Sequence, residues 1–231
     1  MRNYIIIGGS SGIGKELVNL LEIEGAKVFS TYNNNVIEDR PNINYIKFDV
    51  KKDSLKLEDL PDEIHGLAYC PGSINLKPFH RFTDEDFIED FKLQVLGATK
   101  IIKDLLPKIK KSKNASIVLF STIAVQTGFS FHSQVAISKG AIEGLSRSLA
   151  AELAPTIRVN AIAPSLTNTN LASKFLNTPE KFSLQSKNNP LKKVGEAKDI
   201  AEAALYLLSE KSSWVTGQVL HIDGGFSNIK H

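Results

Sequence analysis

A glycine-rich loop joins the first apolar run to the first helical pattern: Gly8-Gly9-Ser10-Ser11-Gly12-Ile13-Gly14-Lys15. Gly8 permits a sharp turn out of a strand. Gly12 lets backbone come close to a pyrophosphate with no Cβ in the way, and Gly14 lets the following helix pack close to the sheet. The helix then offers its unpaired N–H groups and positive dipole end to an anion. The spacing is G-x3-G-x-G, a variant of the general dinucleotide fingerprint. The same residues also read as G-x-S-x-G, a nucleophile elbow, with Ser10 as nucleophile and Asp199 and His221 as acid and base downstream. That alternative leaves Gly14 unexplained and puts the nucleophile on the first strand.

Periodicity supplies the rest of the architecture. Short β-branched or aromatic runs at 4–7, 27–31, 44–48, 66–70, 116–121, 158–162 and 218–222 read as strands. Helical patterns occupy 12–24, 84–110, 133–153 and 197–209, and Thr83 with Asp86 predicts a capping box at the start of the second. The alternation predicts an α/β fold: a doubly wound parallel sheet of Rossmann type, helices on both faces, one domain over 1–231. The connection 32–42 is too short for a full crossover helix, so a stub or none is expected there. The stretch 165–192 reads as irregular and polar, and is expected to be a lid over a substrate site.

Composition excludes several classes. With 28 Lys and Arg against 25 Asp and Glu, the charge is nearly balanced, which argues against a nucleic-acid binder. The densest basic cluster, Lys108, Lys110, Lys111 and Lys113, reads as a solvated helix end that complements the helix dipole. No apolar run is long enough for a membrane span, and the residues before the first strand do not read as a signal peptide, so none is expected. The lone cysteine, Cys70, cannot form an internal disulfide, in keeping with a cytoplasmic location. His65, His80, His132, His221 and His231 have no metal-ligand spacing, so no metal is expected.

The chain resembles the short-chain dehydrogenase/reductase family along its whole length. Gly8, Gly12, Ile13 and Gly14 are similar to the family's glycine loop, and Asp49-Val50 to its adenine-contacting segment. Gly72 ends the fourth strand as the family's Asn-Asn-Ala-Gly motif does, although Tyr69-Cys70-Pro71 precedes it. The runs Arg158 to Pro164 and Trp214 to Gly225 resemble the sixth strand and the tail, with Ser165 where glycine is usual. The resemblance implies NADP or NAD as cofactor, hydride transfer between it and an alcohol or carbonyl, and a homodimer or homotetramer formed through the long helices. It also implies cofactor contacts at Gly8, Ser10, Ser11, Gly12, Ile13, Gly14, Tyr32, Asn33, Asp49, Val50, Gly72, Lys139, Pro164, Thr167 and Thr169. An acid about 20 residues beyond the loop grips the ribose 2′-OH in NAD-specific sites. Tyr32, Asn33 and Asn34 stand there instead, so a small preference for NADP is expected.

The resemblance assigns the active site to a Ser, a Tyr, a Lys four residues later and an Asn, and here the sequence departs from it. Lys139 is kept, Thr122 stands at the Ser position, Gln94 at the Asn position and Val135 at the Tyr position. Valine has no proton to give. His132 is the candidate replacement, seven residues before Lys139 and on nearly the same helix face. Enoyl-thioester reductases, a divergent branch, carry a Tyr at that spacing. Two readings stay open: an oxidoreductase with a rebuilt proton relay, and a non-catalytic NAD(P)-binding sensor or partner. A small, partly apolar substrate is expected, lined by loops 73–82, 124–132 and 165–192 with Phe79, Phe129, Phe131, Leu171, Phe175 and Leu176.

Overall fold

The computed structural model describes residues 1–229; Lys230 and His231, the latter among the histidines weighed as metal ligands, lie outside them. The elements are β1 (Asn3–Ile7), α1 (Gly12–Ile23), β2 (Lys27–Tyr32), β3 (Ile43–Lys47), β4 (Gly66–Tyr69), α2 (Asp84–Phe91), α3 (Gly97–Ile109), β5 (Ala115–Phe120), α4 (Ser133–Leu153), β6 (Ile157–Pro164), β7 (Thr167–Asn168), α5 (Ser173–Leu176), α6 (Pro179–Asn188), β8 (Gly195–Glu196), α7 (Ala197–Leu208) and β9 (Val219–Ile222). Seven strands form one parallel sheet in the order β3-β2-β1-β4-β5-β6-β9. The strand order reverses direction between β1 and β4, and in open α/β sheets ligands bind beyond the carboxyl ends of the strands at such a point.

Strand alternation distributes the core to both faces. Ile5 and Ile7 of β1 point to one side, with Leu67, Ile117 and Val159, under Ile101 and Leu105 of α3 and Ile142 of α4. Tyr4 and Ile6 point to the other, with Val28, Ala68 and Val118, under Leu17 and Leu21 of α1 and Ala201 and Ala204 of α7. This is why the strands read as nearly continuous apolar runs: a parallel sheet is covered twice. Each fully buried Ile or Leu contributes roughly 1.5–3 kcal/mol.

The predicted capping box at α2 is present. The Asp86 backbone N–H donates to Thr83 Oγ1 at 3.3 Å, and the Thr83 N–H donates to the Asp86 carboxylate at 2.8 Å. The helical pattern over 84–110 is not one α-helix, however. Residues Lys92–Leu96 form a π-turn between α2 and α3. The buried Tyr69 hydroxyl enters the helix there and donates to the Leu93 carbonyl at 2.5 Å, while the Gly97 N–H reaches back to the Lys92 carbonyl. A Cβ on Gly97 would lie 2.3 Å from that hydroxyl, so glycine makes room for the insertion. An inserted polar group of this kind is a recognised cause of a break in the hydrogen-bond ladder.

The segment 165–192 also departs from the expected irregular loop. It holds α5 and α6, and β7 near its start pairs in parallel with β8 just past its end. Helix α6 begins on Thr178, whose hydroxyl accepts from the Lys181 N–H at 3.3 Å, with Pro179 at the first helical position. Thr-Pro-Glu is a helix start signal that the polar composition of the segment obscured. The β2–β3 connection contains no helix.

The approach of α1 to β1 is tight enough to test. A Cβ on Gly14 would stand 2.3 Å from the Gly8 carbonyl oxygen, a backbone atom that cannot rotate away. Gly14→Ala is therefore expected to destabilise the fold by ~1–3 kcal/mol, read as a lower urea midpoint with unchanged slope. An unchanged midpoint would mean that α1 can retreat from the sheet without loss.

Candidate active site

A cleft of about 910 Å³ opens at the carboxyl ends of the strands. The glycine loop forms one wall. The Gly8 N–H donates to Thr31 Oγ1 at 2.9 Å and the Gly9 N–H to the Thr31 carbonyl at 3.0 Å, which ties the loop to the end of β2. Gly12 opens α1 at φ +52°, a left-handed conformation that side chains resist. A Cβ there would touch Thr169 Cγ2 at 3.4 Å, so the loop and the β7 segment face each other. Ser11, the N-cap residue, makes no side-chain cap bond, so its hydroxyl does not occupy the first-turn N–H groups of α1. An anion is the natural partner for such an end.

Most of the expected residues line this one cleft: Gly8, Ser10, Ser11, Gly12, Ile13, Gly14, Asn33, Asp49, Val50, Gly72, Pro164, Thr167 and Thr169, together with Gln94, Thr122, His132, Val135 and Lys139. Tyr32 does not. Successive strand residues face opposite sides, and it is Thr31, holding the loop, that faces the cleft; Asn33, Asn34 and Asn35 follow it there. Phe129, Leu171 and Phe175 line the cleft, whereas Leu176 is not part of the lining and Phe79 and Phe131 are mostly exposed to solvent. Phe226 from the tail was not anticipated. Its ring lies 5.9 Å from that of Phe129, which in turn lies 5.3 Å from the His132 ring.

The elbow alternative fails on placement. Ser10 lines the cleft, but Asp199 and His221 do not. Asp199 caps α7, accepting from the Glu196 N–H at 2.8 Å, and is paired with Lys193. No serine triad is assembled from these residues.

The reactive groups sit as follows. Thr122 Oγ1 accepts from the Ala124 N–H at 3.3 Å, which leaves the hydroxyl proton free to donate into the cleft. His132 precedes α4, and its Nδ1 lies 2.7 Å from the Ser130 carbonyl. A carbonyl only accepts, so Nδ1 carries hydrogen and Nε2 is the nitrogen left for another partner. Val135 is buried in the cleft wall. Lys139 is buried one turn further along. Desolvation pulls its ammonium down to about 8, against the opposing pull of the Asp90 carboxylate. Cys70, also in the cleft lining, is pushed up to about 12 by burial and stays a neutral thiol.

Sequence reasoning missed Asp90. It is buried among donors: Gln94 Nε2 reaches both of its oxygens at 2.8 Å, Ser138 Oγ reaches one at 2.6 Å, and Ser73 Oγ donates to the other. The available signal was an acid four residues before Gln94, on a helix face otherwise turned toward the core. Among the described residues no helix is long and apolar enough to cross a membrane, and no group of three His, Cys, Asp or Glu side chains converges as a metal site.

A family model described as enoyl-(acyl carrier protein) reductase matches residues 8–227. YmfI of Bacillus subtilis (strain 168), an uncharacterised oxidoreductase, is 31% identical over 240 residues, spanning 97% of this chain and 98% of that protein. Thermoplasma acidophilum aldohexose dehydrogenase, solved in ligand-free form, superposes with a TM-score of 0.90 at 25% identity, covering 100% of this chain and 96% of that one. A variant of ElxO with NADPH bound superposes with a TM-score of 0.88 at 26% identity, covering 97% and 98%.

The electrostatics of Lys139 can be measured directly. Only the neutral amine is acylated, so labelling at Lys139, followed by mass spectrometry, is expected to rise with a midpoint near pH 8. The ordinary value for a lysine is about 10.4, and a Lys139 midpoint there would contradict its burial.

Proposed function

Because the chain belongs to the short-chain dehydrogenase/reductase family, we propose that it is an NAD(P)-dependent oxidoreductase acting on a small carbonyl, alcohol or enoyl substrate through an altered proton relay. The observation that carries this reading is Lys139: a lysine held buried, at an energetic cost, in the same cleft as the glycine loop and Thr122. A scaffold with no cofactor has no need to keep a charge there.

The cleft fits a nicotinamide dinucleotide. The uncapped start of α1 and the side-chain-free backbone at Gly12 suit the pyrophosphate, and Asp49 and Val50 suit the adenine. Thr169 and Lys139 are the residues we assign to the nicotinamide carboxamide and the ribose hydroxyls. When bound, the cofactor gives or takes the hydride. Thr122 donates a hydrogen bond to the substrate oxygen and so polarises the bond to it. His132, through Nε2, carries the proton that the missing phenol would have carried. Gln94 supports Lys139. The segment 165–192 acts as the lid, contributing Leu171, Phe175, Gln185 and Asn189 to the substrate end. One domain does all of this, and copies pair through the helical stretches 84–110 and 133–153, where Ile88, Leu96 and Ile137 are exposed.

NADP(H) is the slightly favoured cofactor. Asn33, Asn34 and Asn35 line the cleft past β2 with no carboxylate among them to repel a 2′-phosphate, and a neighbouring structure holds NADPH. Calorimetric titration should find NADPH binding modestly tighter than NADH. Gly12→Val, which puts a branched side chain at positive φ on the pyrophosphate path, should abolish both while the circular dichroism spectrum persists. Undiminished binding by that variant would sink the phosphate-loop reading, and tighter NADH binding would reverse the preference.

Val135 favours a second reading, in which the protein binds the cofactor and turns nothing over. Single-turnover assays with a carbonyl and enoyl panel separate the two. If His132 is the donor, His132→Ala should lower the native rate by ~10²- to 10⁴-fold, and Val135→Tyr should crowd the cleft and slow it. A wild-type rate of zero that Val135→Tyr raises would mean that only the donor had been lost. A rate of zero in all three proteins with cofactor still bound would establish the non-catalytic reading.

A further inference from the structure

We propose that Asp90 is a positioning residue for the cleft-facing lysine: its buried carboxylate is the counter-charge to the Lys139 ammonium, and its grip on Gln94 turns the amide oxygen toward Gly72 and the lysine. The inference rests on the reading of Lys139 as a cofactor ligand. Three separate elements converge on Asp90: Ser73 from the loop after β4, Gln94 from the π-turn, and Ser138 from α4. All of them donate and the carboxylate oxygens accept, so the three donors converge on one acceptor group. Since Gln94 Nε2 is committed to both carboxylate oxygens, Oε1 is forced to the other side. That oxygen is buried with no partner in the protein. A Cβ built on Gly72 would lie 3.5 Å from it and 3.7 Å from Lys139 Nζ, so the amide oxygen and the ammonium share the space beside Gly72.

The electrostatics agree in direction. Burial lowers the lysine, and Asp90 is the largest influence opposing it. Other charged groups nearby are engaged elsewhere. On α2, Asp86 pairs with Lys77, and in the π-turn Lys92 pairs with Glu89. On α4, Glu143 accepts from Ser121 Oγ at 2.8 Å and lies 3.6 Å from Arg147, and His132 Nδ1 faces Ser130. Cys70 is a neutral thiol. Asp90 is thus the group that keeps a desolvated lysine charged near neutral pH, a task that falls to the carboxylate in a site where valine replaces the phenol.

The test is the pH profile of Lys139 acylation in the wild type, Asp90→Asn and Ser138→Ala. Asp90→Asn should lower the midpoint by about one pH unit or more, while Ser138→Ala, which keeps the charge, should leave it in place. NADPH titration of Asp90→Asn should lose more affinity at pH 8 than at pH 6.5. An unmoved midpoint would overturn the counter-charge role, and an equal loss at both pH values would reduce Asp90 to a structural tie between α2 and α4. Failure of the wild type to bind NADPH would instead sink the cofactor reading, with the acylation midpoints still deciding the charge pairing. Should Asp90→Asn not fold, the wild type labelled with ¹³C at aspartate Cγ carries the test. Its Asp90 resonance should move at the Lys139 midpoint, and a flat resonance would overturn the proposal.

Discussion

The contact between two backbones, where α1 leaves β1, governs everything downstream. Without a side chain at Gly14, the helix starts close against the Gly8 carbonyl, so its N-terminus lies at the carboxyl edge of the sheet where the strand order turns. Thr31 then anchors the loop from the neighbouring strand, and Ser11 leaves the helix end uncapped. A cleft with a positive end follows from packing geometry rather than from any charged side chain.

The opposite wall of the cleft depends on a second intrusion of the same kind. Tyr69 pushes its hydroxyl into the helix at Leu93, Gly97 yields the space, and the resulting π-turn brings Gln94 beneath Gly72. The buried carboxylate of Asp90 belongs to the same turn region. Burying a lysine and an aspartate is costly unless each has partners. Here Asp90 has its donors, and Lys139, though pulled down to about 8 by desolvation, stays mostly charged near neutral pH.

Under the proposed reading, the site differs from the family's pattern by more than the loss of one phenol. Val135 makes the wall apolar at the point where a proton donor would stand, and the aromatic group of Phe129, His132 and Phe226, from the α4 start and the tail, lines the same cleft. In the proposed reaction the substrate oxygen meets Thr122 and the His132 imidazole, a different proton geometry on the family's frame.

What the sequence by itself determined was local: the strand–loop–helix at Gly8 to Gly14, the capping box of Thr83 and Asp86, the seven apolar runs of a twice-covered sheet, and the absence of a proton donor at Val135. Each depends on a few neighbouring residues whose periodicity or backbone freedom is written within one window of the chain. The tertiary structure decided which side of the strand Tyr32 takes relative to the loop, that a helical pattern breaks at Leu93, that 165–192 holds helices, and that residues 73, 90, 94 and 138 meet. Those outcomes depend on insertion and desolvation by distant segments. A hydroxyl from position 69 reshapes a helix at 93, and the acidity of a lysine is set by how much water its neighbours remove, which no local pattern encodes.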